Sequence, residues 1–361
     1  MRTLELVRSI DRSAIRSIFV TLSGRPGILA SEFEAAGAEI APMRLSPAFP
    51  MAFIRLLRRN EVDAVHSHVA LFSGAITMFA RLAGVPRRIA HFRSDSPPGR
   101  LGVAKHLEYW LLRNLVDKTA TDIVGVSPGS LTYGWRADWE KDPRCEVIPS
   151  GLDLTRFDDL KEVDRLRTLV GAAPGDKMII HVGRGVPLKN RERAIALLAE
   201  LSHDRSHPWL AFVGADSPED RARWQEQARD AGVADHVRFL GDRGDVPQLL
   251  VGADLLLLTS HYEGLPGVLV EAAAAGTPSL ASDLPGSRFL AERLSDVHPV
   301  SLDDTDAEWA RQAAVLLELE LTSSAREAAL RRMRGSIFDL VRAVPRFVAL
   351  WTGVESRQEQ M

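Results

Sequence analysis

Short apolar runs rich in strand-forming residues alternate with amphipathic stretches, and that alternation restarts once along the chain. In the first series, 16–23 (RSIFVTLS), 39–45, 62–68, 87–93, 121–127 and 144–151 read as strands. Between them Phe53, Ile54, Leu56 and Leu57, and later Leu107, Trp110, Leu111 and Leu115, have helical spacing. Strands alternating with helices imply parallel sheets covered on both faces. A second series follows at 177–184, 208–216, 237–242, 253–260 and 277–283. Glycine or a small polar residue follows most of these strands, where helix N-termini usually face a ligand. At 361 residues the chain is too long for one hydrophobic core. Two α/β domains are expected, 1–150 and 151–339, with a hinge at 149–157. Beyond Asp303 the pattern is helical, Pro345 inviting a kink near Val344. A last helix at about 340–361 is expected to pack back on the first domain.

Composition narrows the class. With 45% hydrophobic and 26% charged residues this is an ordinary globular chain. Cys145, the single cysteine, cannot form an internal disulfide and fits a reducing compartment. The first sixteen residues alternate charge and leucine too closely for a signal peptide. The longest mostly apolar stretch, 69–80, is too short to span a bilayer. The expectation is a cytoplasmic protein, at most peripheral on the inner membrane face.

The net charge of −3 conceals two unlike halves. Residues 1–150 carry 20 Lys+Arg against 15 Asp+Glu, whereas the remainder carries 25 against 33. The basic excess gathers between Arg55 and Lys118, with Arg58, Arg59, Arg81, Arg87, Arg88, Arg93 and Arg100 among its members. It reads equally as a solvated surface or as a face for an anionic membrane or anionic acceptor. No aromatic-interleaved basic groove accompanies it, so no nucleic-acid partner is expected.

The stretch most informative about chemistry is TSHYEGLPGVLVEAAAAGTPSLASDLPG, at 259–286. A buried strand ends near Ser260, a loop carries Glu263, and a helix begins at Pro266 or Gly267, placing Glu271 about one turn inside. Gly264 and Gly267 let backbone amides approach a ligand, and the helix N-terminus supplies partial positive charge for phosphate. The bland reading of either glutamate is stabilisation of that helix end, worth ~0.5 kcal/mol. A competing motif, Gly125-Val126-Ser127-Pro128-Gly129, fits a nucleophile elbow in spacing alone. The residue after the serine must lend its N–H to an oxyanion, and Pro128 has none. Ser127 is expected to cap a turn instead.

With its Glu-Gly-Leu-Pro and Glu-Ala-X-Ala-X-Gly-X-Pro phrases, 259–286 resembles the signature of the retaining glycosyltransferases of family 4. Three further segments are similar to that family: IIHVGRGVPLKNRERAIALLAEL (179–201), CEVIPSGLDLTRF (145–157, with Ser150 for the usual Asn) and VRFLGDRGDVPQLLVGADLLLLTS (237–260). The likeness covers about 1–351 and is most specific over 145–290. It implies the GT-B fold, an α/β architecture of two Rossmann-like domains facing a cleft. The first domain would bind the acceptor and the second a nucleoside-diphosphate-sugar donor.

Carried over by position, the resemblance assigns Arg184 and Lys189, beside Gly183 and Gly241, to the donor diphosphate, where two cations would offset leaving-group charge. Lys189 is one of only six lysines; the alternative is a solvated loop charge. Glu271 would accept hydrogen bonds from the ribose. Glu263 would hold the sugar hydroxyls, beside the amides of Gly264, Leu265, Gly267 and Val268. His91, ending the strand 87–93, would face the donor sugar; the alternative is a satisfied structural histidine. His66 and His68, alternating along 62–68, are expected on opposite strand faces, which argues against a metal site using both. No metal or other cofactor is expected.

Relatives begin with a strand and a Gly-Gly loop, whereas 3–24 here already matches their first helix and second strand. The first domain is therefore expected to lack its first strand. The favoured reading is transfer of a sugar to a lipid-linked or polysaccharide acceptor in envelope or exopolysaccharide synthesis. A homologue that binds nucleotide sugar without efficient transfer is the alternative. A dehydrogenase would need Gly-X-Gly-X-X-Gly after a strand, and neither 183–185 nor 241–244 supplies it.

Overall fold

The structure, a computed structural model, describes residues 2–95, 102–158, 164–202 and 207–354. It divides into two compact units, Met1–Asp153 with Gly335–Met361, and Leu154–Arg334. The chain crosses from one to the other within 149–157.

The first unit opens with a helix, Arg2–Ser9, followed by β1 (Ile18–Thr21), as the reading of 3–24 anticipates. β1 pairs in parallel with β2 (Glu39–Pro42). A separate parallel sheet holds β3 (Ala64–Ser67), β4 (Arg87–Phe92), β5 (Asp122–Gly125) and β6 (Cys145–Val147), in that order. No described strand joins the two sheets. One face of the larger sheet packs Ile89, Val124 and Ile148 against Ala343, Phe347 and Leu350 of the helix Leu340–Thr352. The other holds Phe92, Ile123, Leu131 and Trp135.

Polar contacts fasten the last helix. Glu146 pairs with Arg346, and the Arg87 Nε donates to the Leu350 carbonyl at 3.0 Å. Leu340 bonds back to Leu152 at 3.0 Å. A Cβ on Gly151 would lie 2.5 Å from the Leu340 Cα, so only glycine fits that crossing. The helix runs unbroken through Pro345, and Gly353 ends it in the left-handed conformation. It therefore stops well short of 361, and 355–361 lie outside the described residues.

The second unit is a six-stranded parallel sheet: β7 (Met178–Val182), β8 (Trp209–Val213), β9 (Val237–Phe239), β10 (Leu255–Leu258), β11 (Ser279–Ser282) and β12 (Val297–Val300). Their spatial order is β12-β11-β10-β7-β8-β9. Strand order therefore reverses between β7 and β10, and ligands of such sheets bind outside the strand ends at that point. β10 is four leucines, all wholly buried, as a central parallel strand covered on both faces requires. The sequence reading missed β12. Its Val-His-Pro-Val breaks a strand pattern, but an edge position tolerates the proline.

Candidate active site

Two loops leave the sheet at the β7/β10 reversal, and an ion pair joins them. Lys189, on the loop after β7, pairs with Glu263, on the loop after β10, and the Ser260 hydroxyl donates to the same Glu263 oxygen at 2.8 Å. The Lys189 end of its loop is held from below. His181 Nε2 lies 3.2 Å from the Lys189 carbonyl, and the Thr259 hydroxyl lies 3.0 and 2.8 Å from the carbonyls of Lys189 and Asn190. Burial, then the nearby Arg191 and Lys189, pushes His181 down to about 3, so the ring is neutral and donates to that carbonyl. Asn190 takes the left-handed conformation that closes the turn.

Beneath the loop Arg191 is wholly buried. It pairs with Asp216 at 3.0 Å, donates to the Gly183 carbonyl at 2.8 Å, and lies 4.9 Å from both the Phe212 and Trp224 ring centres. A Cβ on Gly214, whose φ is +127°, would lie 2.3 Å from the Gly183 oxygen. The backbones at the ends of β7 and β8 touch, and nothing larger than glycine fits. Arg184 projects from the same loop, exposed, with no ion pair to a described residue.

On the other loop the helix Gly267–Ala275 begins directly after Pro266, with Glu271 half-buried one turn in. Gly286 packs on the Gly264 carbonyl, 2.5 Å from where a Cβ would sit, fixing 264–267 from behind. Gly241, at φ +69°, accepts from the Gly214 amide at 2.7 Å. Gly183, Arg184 and Lys189 follow β7, and Glu263, Gly264, Leu265, Gly267, Val268 and Glu271 follow β10, at the strand-order reversal; Gly241 follows the edge strand β9 and reaches them only through Gly214. Chemically this is a helix N-terminus, two cations and two carboxylates, a set suited to a diphosphate with hydroxyl groups on either side. Ser260, Thr259, His181, Arg191 and Asp216 support these groups and were missed in the sequence. An Asp shortly after the Gly that ends β8 was the one available signal.

The first unit holds a second cluster at the C-terminal ends of β3 and β4. His66 Nε2 lies 2.9 Å from His91 Nδ1, and the Trp351 indole N–H donates to His66 Nδ1 at 3.1 Å. The His68 ring, tilted to both, lies 4.3 Å from His66 and 4.9 Å from His91 between ring centres. This corrects the expectation that His66 and His68 point apart: residues two apart along a strand share a face. Burial, followed by the neighbouring His68 and Arg93, holds His66 well below its usual 6.5. His91 is displaced the same way, burial again leading. Arg2, Arg93, Ser150, Gly151 and Phe347 line the same concavity. Ser127 caps the following helix, with Ser130 returning the bond, each at 3.1 Å.

Known proteins carry the same two-part pattern. Residues 1–151 match the family model for a glycosyl transferase 4-like domain, and 163–318 match that for glycosyl transferases group 1. The chain is 29% identical to EpsF of Bacillus subtilis over 313 residues, covering 83% of this chain and 80% of the other. It is 24% identical to the capsular polysaccharide biosynthesis glycosyltransferase CapH of Staphylococcus aureus, covering 75% and 74%. It is also 24% identical to the UDP-Gal:alpha-D-GlcNAc-diphosphoundecaprenol alpha-1,3-galactosyltransferase of Escherichia coli, covering 71% and 67%. Among solved structures, Anabaena HepE in complex with UDP superposes with a TM-score of 0.75 at 18% identity, covering 94% of this chain and all of that one. A Rickettsia africae glycosyltransferase gives 0.77 at 15% identity, covering 98% and 93%.

Proposed function

The chain belongs to the family 4 glycosyltransferases of GT-B fold, and from that premise we propose retaining transfer of a sugar from a nucleoside-diphosphate-sugar to a lipid-linked or polysaccharide acceptor in envelope or exopolysaccharide assembly. The Lys189–Glu263 pair across the β7/β10 reversal carries the donor assignment. It sets a phosphate-binding cation and a hydroxyl-binding carboxylate side by side, next to a helix N-terminus. Arg184 and Lys189 take the diphosphate charge in the role a metal would otherwise fill, and Glu271 takes the ribose. His91, on the first unit, offers an N–H to a substrate oxygen. In front-face transfer the bond from the sugar C1 to the diphosphate breaks as the bond to the acceptor oxygen forms. The acceptor's proton then passes to the departing diphosphate oxygen.

An acceptor at a membrane accords with the first unit. Its helix Val103–Thr119 leaves Val103, Leu107, Trp110 and Leu111 more than half exposed, at the spacing of one helix face. The basic helix Phe49–Arg59 belongs to the same helical layer. An apolar stripe on a unit that also carries a basic helix fits the surface of an anionic bilayer. The named acceptor of the Escherichia coli relative, a diphosphoundecaprenol-linked sugar, supports the same class.

Calorimetric titration of UDP, GDP and ADP into the wild type, Arg184→Ala and Glu271→Ala tests the donor site. One nucleotide should bind, and both substitutions should weaken it. No binding to folded protein would overturn the assignment. Binding without transfer to any lipid-linked or glycan acceptor would favour a nucleotide-sugar binder with impaired catalysis.

A further inference from the structure

We propose that Trp351 and His66 are positioning residues that lock His91 as a neutral imidazole carrying its proton on Nε2. The inference rests on the reading above only in making a substrate oxygen the partner of that N–H. An indole nitrogen can only donate. The Trp351 N–H lies 3.1 Å from His66 Nδ1, so Nδ1 must offer a lone pair, and His66 cannot be an imidazolium. Its proton is therefore on Nε2, which is 2.9 Å from His91 Nδ1. His91 Nδ1 must accept in turn, and this leaves the His91 proton on Nε2.

His91 Nε2 is buried and finds no partner among the described residues, although His91 lines the concavity beside Arg93 and Arg2. A buried donor left unpaired is costly and marks a place where an acceptor belongs. The charged and titratable groups around it are His66, His68, Arg93 and Arg2, the last paired with Glu5 at 3.0 Å. The two guanidinium groups, Arg93 above all, favour an oxygen-bearing or anionic partner and disfavour a cation. This arrangement also decides against a metal, although ligand atoms of His66, His68 and His91 come within 4.8 Å of one another. A metal on His66 Nε2 would need its Nδ1 to carry the proton, setting two N–H groups against each other at Trp351. His91 therefore acts as a hydrogen-bond donor and cannot take the acceptor's proton through Nε2.

Long-range ¹H–¹⁵N correlation spectra of ¹⁵N-histidine-labelled protein near neutral pH test this with no need for activity. Neutral Nε2–H patterns for both His66 and His91 are expected. An Nδ1–H pattern or a cationic ring at either position overturns the proposal. In Trp351→Phe, which keeps an aromatic ring in the helix, His66 should gain Nδ1–H or cationic character. Transfer should then fall about tenfold in kcat, more at pH 6 than at pH 8, with little change in KM for the donor. An unchanged His66 pattern in Trp351→Phe would overturn the relay. Correct tautomers in a protein that transfers no sugar would instead count against the glycosyltransfer reading alone.

Discussion

Lys189 and Glu263 are each less than one-fifth exposed, so either side chain left alone would hold a poorly solvated charge. Their proposed tasks differ, and so should their variants. Lys189→Ala should weaken nucleoside diphosphate affinity roughly tenfold to a hundredfold, since charge-assisted bonds of this kind are worth about 1.5–3 kcal/mol. Glu263→Gln keeps an acceptor for the Ser260 hydroxyl but lacks the carboxylate. It should bind nucleotide nearly normally while turnover falls about a hundredfold. Equal loss of nucleotide binding in both variants, read by calorimetry, would show that the pair acts as one unit. Deeper down, Asp216→Ala strands the wholly buried Arg191 guanidinium and should cost about 3–5 kcal/mol in denaturant unfolding. The sequence made Lys189 and Glu263 visible one at a time, because each sits in its own phrase. Their pairing depends on β7 and β10 being neighbours, which no local pattern encodes. His66 and His68 differ from their expected placement for another reason: a two-residue spacing on a strand returns to the same face, so both rings meet His91.

Eleven of the twelve described strands fall inside the expected runs; β7, β8, β10 and β11, mostly or wholly buried, show the continuous burial of parallel strands covered on both faces. β12 escaped for want of such a run. The helix Val103–Thr119 shows the opposite case, in which a pattern was visible and its destination was not. Helical spacing of Leu107, Trp110 and Leu111 suggests a core face, yet core packing engages Tyr109, Leu112 and Val116 instead. Close approach decides which face is inward: a Cβ on Gly74 would lie 2.3 Å from the Leu112 carbonyl, so the neighbouring helix sits against that side. Among the described residues no helix is long and apolar enough to cross a membrane. If the exposed stripe meets a bilayer, Leu107→Glu with Trp110→Glu should cut co-sedimentation with anionic vesicles at least tenfold. Stability should barely move, since neither side chain is packed. Equal sedimentation of the double variant and wild type would rule the stripe out as a membrane contact.

Each unit carries its own core and its own buried histidines, and acid should therefore act on them unequally. In the first unit three rings are held neutral: His66 and His91 well below 6.5, and His68 at about 3, burial leading in each. In the second, burial holds His181 at about 3. An unfolded histidine titrates near 6.5, so below that pH the unfolded chain binds protons that the native ring refuses. The stability these rings contribute is complete above 6.5 and is lost as pH falls toward their folded values. Between pH 7.5 and 5.5 the first unit should lose about 3–4 kcal/mol from its three rings, the more exposed His68 contributing least, and the second about a third as much. Asp245, held near 2 by Arg243, responds only in stronger acid. Scanning calorimetry can assign the transitions, because a ligand raises only the stability of the fold that binds it. On the proposed donor assignment, the endotherm that shifts upward with saturating nucleoside diphosphate should be that of residues 154–334. The nucleotide-insensitive endotherm should move further downward on acidification, and His66→Gln should remove about half of its excess shift. If the nucleotide-sensitive endotherm is the more acid-labile one, the buried neutral rings of the first unit do not govern its response to pH.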